Sequence, residues 1–91
     1  MELTQLQGRV LLAAGGGAGR IIFWVLGDGR WTLPAFSEDV AGTIRALEGA
    51  GLLVSVDTAG NPGRPPQTRA VGSHVMALTD AGRAAVRNLV A

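Results

Sequence analysis

Apolar positions along the first third of the chain follow two periods. In LTQLQGRVLLAA, Leu3, Leu6, Val10 and Ala13 or Ala14 fall at helical spacing. Thr4 followed three residues later by Gln7 forms a capping-box pair, so a helix is predicted from Leu3 to Ala14. From Arg20 the period shortens to two in GRIIFWVLGDGRWTLP, the alternation of a half-buried hairpin. Asp28-Gly29 is the turn pair, because a type I′ turn needs positive φ at both central residues. With that turn Leu26 faces Trp31 and Trp24 faces Leu33. Ile22, Trp24, Leu26, Trp31 and Leu33 then share one face, and Ile21, Phe23, Val25, Arg30 and Thr32 share the other. The first set is wholly apolar and is expected to face the core. A turn on Gly27-Asp28-Gly29 instead would shift the register by one residue and re-sort the second strand.

Pro34 stops the hairpin. Ser37 then reads as an N-cap, with Glu38 and Asp39 in the first turn where the helix dipole favours acids. The helix EDVAGTIRALEGAG presents Val40, Ile44, Leu47 and Ala41 on one side, and Gly49 and Gly51 terminate it. LLVSV (52–56) and SHVMAL (73–78) read as strands flanking a long Gly- and Pro-rich loop, residues 57–72. A closing helix starts at the Thr79 N-cap, with Ala85, Val86, Leu89 and Val90 as its apolar stripe. Ile44, Leu47, Leu52, Val54 and Leu78 are expected in the core. The pattern is therefore helix, β-hairpin, helix, strand, long loop, strand, helix. It predicts an α+β fold as one domain over residues 1–91.

The run VLLAAGGGAGRII poses a separate question, since an apolar segment entering a glycine-rich turn can begin a phosphate-binding loop. A dinucleotide fingerprint needs Gly at the sixth position, where counting from Gly15 gives Arg20. A Walker loop needs Lys, which the chain lacks. The order is also helix then strand, the reverse of what a phosphate cradle requires. Gly15 to Gly19 is accordingly a helix stop and a turn.

Composition narrows the chemistry. Ninety-one residues with 47% apolar content suffice for one modest core. No Cys is present and His74 is the single His, so thiol nucleophiles, disulfides and Cys- or His-rich metal sites are excluded, and neither a metal nor a cofactor is expected. Ser73 and His74 are neighbours on one strand and point to opposite faces, so they form no dyad. Glu38 and Asp39 are explained by helix capping. A non-enzymatic protein is expected. The longest apolar run, Ile21 to Leu26, is far too short to span a membrane, and no basic segment precedes an apolar core near the N-terminus. The expectation is a soluble, cytoplasmic protein. All eight basic residues are Arg, and the abundance of Ala, Gly and Val points to a GC-rich source, a bacterium or its phage.

IRALEGAGLLV (44–54) followed by ALTDAGRAAV (77–86) resembles the winged helix-turn-helix regulators of the MarR-like kind. In those proteins a recognition helix ends in a turn of the type LExxGLV, a β-wing follows, and the next helix starts with LTxxGR. LTQLQGRVLLA is similar to that family's first helix. The resemblance covers residues 3–14 and 38–87 and implies a small winged-helix-like domain. Where the family places its second helix this sequence has the IIFWVLGDGRWTL hairpin, or alternatively one irregular short helix. The function implied is DNA binding by a transcriptional regulator. Thr43 and Arg45 on the recognition-helix equivalent, and Arg64, Gln67 and Arg69 in the wing, would touch double-stranded DNA. The alternative is a protein-interaction module, such as a phage-encoded or accessory protein acting on a host protein. Its contact surface would be the outward hairpin stripe of Ile21, Phe23 and Val25. The C-terminal helix could also pair with its copy in a homodimer.

Overall fold

The computed structural model describes residues 2–56 and 70–90. Its helices are α1 (Gln5–Gly16), α2 (Ala41–Gly49) and α3 (Asp80–Val90), and its strands are β1 (Arg20–Val25), β2 (Trp31–Thr32), β3 (Leu53–Val56) and β4 (Gly72–Leu78). The strands form one antiparallel sheet in the order β2-β1-β4-β3. Three helices and a four-stranded sheet in this order make an α+β, winged-helix-like layout. Of the loop expected over residues 57–72, residues 57–69 lie outside the described residues, Arg64, Gln67 and Arg69 among them, and Gly72 already belongs to β4.

α1 opens with the capping box expected of Thr4 and Gln7: the Gln7 N–H donates to Thr4 Oγ1 at 3.1 Å, and the Thr4 N–H donates to Gln7 Oε1 at 2.9 Å. The helix runs two residues past Ala14 into the glycines. A turn then reverses the chain, with Ala18 and Gly19 both in the left-handed region. A side chain on Gly17 would stand 2.7 Å from the Arg20 carbonyl oxygen, and one on Gly15 would press on Val86 of α3 at 3.0 Å. The glycine run is thus a packing and turning device between α1, β1 and α3.

The hairpin turns on three residues rather than two. The Leu26 N–H donates to the Arg30 carbonyl at 2.8 Å, and the Gly29 N–H donates back to Leu26 O at 2.9 Å. Gly29 has φ +88°, and Asp28 Oδ1 accepts the Arg30 N–H at 3.0 Å. Trp24 therefore pairs with Thr32, and Val25 with Trp31. This one-residue shift overturns the face assignment of β1. Ile21, Phe23 and Val25 are buried with Trp31 and Leu33, while Ile22 and Trp24 are exposed. The result agrees with polarity as well as with turn geometry, because Arg20 and Thr32 now share the outer face with Ile22 and Trp24.

Phe23 and Trp31 stack at the centre of the core, ring centroids 4.8 Å apart. Val10, Leu11 and Ala14 of α1, Val40, Ala41, Ile44 and Leu47 at α2, and Leu53, Met76 and Leu78 of the sheet complete it. In β3 it is Leu53 that faces the core. Leu52 packs at its margin, and Val54 is half-buried on the other face, so the expectation for those two residues is corrected.

The start of α2 also differs from the sequence expectation. Ser37 is not its N-cap. The helix begins at Ala41, and Asp39 Oδ1 accepts the N–H groups of Ala41 and Trp31, each at 3.0 Å. The chain between β2 and α2 is drawn back onto β2 by a bond from the Val40 N–H to the Trp31 carbonyl at 3.0 Å, so Val40 stands at the N-cap position without a side-chain cap, and Asp39 just before it accepts the Ala41 N–H. α2 ends with Gly51 at φ +78° and a bond from Leu52 N–H to Leu47 O at 2.9 Å, the reverse turn that leads into β3.

α3 is capped as expected, Thr79 Oγ1 accepting the Gly82 N–H at 3.0 Å. Gly82 lies against the Leu52 carbonyl with no room for a Cβ. Of the expected stripe, Ala85 and Val86 pack against the core, whereas Leu89 and Val90 remain exposed.

Candidate functional site

α2 turns Val40, Ile44 and Leu47 inward, so helical spacing places Gly42, Arg45, Ala46 and Gly49 on its exposed side. Apart from Arg45 the side chains there are small, and a Cβ added at Gly42 or Gly49 would meet open space. Thr43 sits half-buried at the edge of this face. The Arg45 guanidinium lies over the Trp31 ring, 4.7 Å from its centroid. Such a contact is worth about 0.5–1 kcal/mol at an exposed site and limits where the charge can go. Thr43 and Arg45 thus come together on one helix. Arg64, Gln67 and Arg69 lie outside the described residues.

Two acids ahead of α2, Asp39 and Glu38, have partners within the fold. The N–H groups of Trp31 and Ala41 hold the Asp39 carboxyl below the ordinary carboxylate range. Glu38 pairs with Arg9 of α1 at 2.6 Å, and that hydrogen bond lowers its pKa as well. The sequence places Glu38 and Asp39 in the first turn of the helix as dipole-favoured acids. In the structure each has a structural partner.

The second surface is the outer face of β1. The outward stripe expected of Ile21, Phe23 and Val25 is turned inward: all three are core residues, Ile21 also lining the groove beside it. Ile22 and Trp24 take their place at 49% and 42% exposure. Beside them Ala13, Leu33, Pro34 and Phe36 line a groove of about 340 Å³. Arg20 lines the groove too, and Arg9 lies over the Phe36 ring at 4.7 Å. The signal for this surface was present in the sequence as the alternative three-residue turn.

A further hollow of about 430 Å³ lies where the turn after α1 meets α3, between Gly15, Gly19, Leu78, Val86, Arg83 and Arg87. His74 takes no part in either surface. Its ring stacks on Phe23 at 5.6 Å and its Nε2 lies 2.7 Å from the Ala70 carbonyl. Ser73 pairs with Trp24 on the opposite side of the sheet. Among the described residues there is no cluster of three or more His, Cys, Asp or Glu able to hold a metal ion, and no helix is long and apolar enough to cross a membrane. No family model, curated protein or solved structure matches the chain.

Proposed function

We propose that the chain is a non-enzymatic, winged-helix DNA-binding protein of the cytoplasm, a small transcriptional regulator that meets duplex DNA through the outward face of α2 and the segment joining β3 to β4. The observation that carries this reading is the bare face of α2 directly ahead of the β3–β4 pair. Gly42, Ala46 and Gly49 let the helix backbone come close to a groove, and Arg45 stands among them as a guanidinium steadied by Trp31. Close approach of a helix lets a few side chains reach base edges. Arg9 beside Glu38 offsets one of the two acidic charges ahead of the helix, and Asp39 is turned back to accept the N–H groups of Trp31 and Ala41. The helix that normally seats a recognition helix in the groove is replaced here by β2 and the 33–40 segment, so Arg45 takes its support from Trp31 on β2. Thr43 and Arg45 are assigned to base edges or neighbouring phosphates, and Arg64, Gln67 and Arg69 to the backbone.

The test starts from selection of a duplex from a random pool, followed by titration at several salt concentrations. Changing Arg64 and Arg69 together to Ala is expected to weaken binding to all duplexes alike. It should lower the slope of log K against log salt by about 0.9 for each phosphate that is no longer neutralised. Arg45→Ala is expected to relax sequence preference. Absence of salt-dependent binding to any duplex up to roughly 10⁻⁴ M protein, the weak end of ordinary non-specific affinity, would contradict the proposal.

A further inference from the structure

The outer face of β1 is unused by DNA binding through α2. Its groove exists because β2 is short. β2 pairs with β1 only at Trp24 and Val25, and Pro34, which has no N–H to give a ladder, follows two residues after Thr32. The Leu26 N–H points to the β2 side, so by antiparallel alternation the N–H and C=O of Trp24 and Ile22 do too. Ile22 is two residues past the last β1–β2 pair, at the lip of the groove.

Charge on this rim is one-sided. Arg9 is balanced by Glu38, but no carboxylate among the described residues is ion-paired with Arg20. The groove therefore offers an apolar floor, a large exposed indole, a strand edge and one uncompensated guanidinium within a few residues of each other.

We propose that this groove docks a short extended segment of another protein, one that carries a large apolar anchor side chain beside a carboxylate. The anchor enters between Pro34, Phe36 and Trp24, the carboxylate meets Arg20, and the segment's backbone meets Ile22 in the manner of strand addition. A second copy of this chain fits poorly. Taking large side chains as roughly 200 Å² each, Ile22 and Trp24 leave on the order of 200 Å² uncovered in total, against about 800 Å² per partner in a standard protein interface. The other large apolar side chains exposed among the described residues, Leu12, Val71, Leu89 and Val90, have no Asp or Glu within two residues along the chain. The small area suits a peptide with one anchor.

A display library of random 12-residue peptides, panned on the intact protein, tests this. The enriched peptides are expected to combine a large aliphatic or aromatic residue with Asp or Glu, and to shift Trp24 emission to shorter wavelength on binding. Trp24→Lys and Arg20→Glu should each weaken them by about tenfold or more, while the circular dichroism and melting of both variants stay as in the parent. Three results would overturn the proposal: no enrichment, enriched peptides without acids, or peptides that bind both variants as well as the parent. A protein that is dimeric until Trp24→Lys makes it monomeric would assign the groove to a second copy and overturn it as well. None of these results depends on DNA, so the two proposals stand or fall separately.

Discussion

α2 and β1 each show the solvent one face and the core another, yet only α2 presents the face that its sequence indicates. In α2 the inward set, Val40, Ile44 and Leu47, follows from the helix's own period of 3.6 residues, and nothing outside the helix can move it. In β1 both faces are apolar for most of their length, so the strand itself does not decide which goes inward. The decision comes from the turn. Placing Gly27, Asp28 and Gly29 between Leu26 and Arg30 aligns Val25 with Trp31 and brings Phe23 onto the same face. A period of two makes a strand's faces exchangeable by one residue of register, whereas a helix needs a much larger rotation.

The largest test of that contrast is a pair of neighbours on β1. Phe23→Ala should cost about 3–5 kcal/mol, the range for emptying a fully buried aromatic site. Trp24→Ala should cost about 1 kcal/mol or less, since the indole is substantially exposed. Denaturant unfolding of both variants gives the comparison, and a reversed ranking would restore the two-residue turn.

Leu47→Ala comes next, at about 2–5 kcal/mol, because the side chain is fully buried. Its neighbour on the outward face, Arg45→Ala, should give up only the cation–π interaction with Trp31, about 0.5–1 kcal/mol. Similar costs from both would mean that α2 does not present the face described.

The turn itself is open to a smaller test. Gly29 has φ +88°, so Gly29→Ala should cost about 1–2 kcal/mol in strain. An unchanged midpoint would argue against the positive φ at Gly29, which the turn requires.

The smallest effect concerns pH. Asp39 has its carboxyl pKa lowered in the folded state by the N–H groups of Trp31 and Ala41. Its contribution to stability is therefore present above the unfolded value of about 3.9 and fades as pH falls through the lower folded value. Asp39→Asn should flatten the loss of stability below about pH 4. An acid limb as steep as the parent's would place the pH dependence on Glu38 or Asp28, whose values are lowered by Arg9 and Arg30.

Much of the architecture was legible because it is locally encoded. Thr4 with Gln7, Thr79 before Gly82, and the inward residues of α2 each depend on neighbours within one or two turns of chain. What failed depends on contacts across the fold. Ser37 looked like the cap of α2, but the bond from Val40 to Trp31 draws the chain back to β2 and starts the helix later, with Val40 at the N-cap position. Leu53 faces the core rather than Leu52 and Val54 because β3 pairs Leu53 with Leu78 across the sheet. Of the candidate sites, the residues on α2 could be placed from sequence. The apolar surface could not, since its location turned on the register of a two-residue strand.

Collisional quenching of tryptophan fluorescence by acrylamide tests the central claim, that β1 displays Trp24 to solvent while Trp31 is enclosed. The two tryptophans differ sharply here, Trp24 at 42% exposure and Trp31 at 2%. The parent protein should show one accessible and one shielded emitter, and Trp24→Phe should remove the accessible one and leave a blue-shifted, poorly quenched signal. Two shielded tryptophans in the parent, or an accessible emitter that survives Trp24→Phe, would contradict the account.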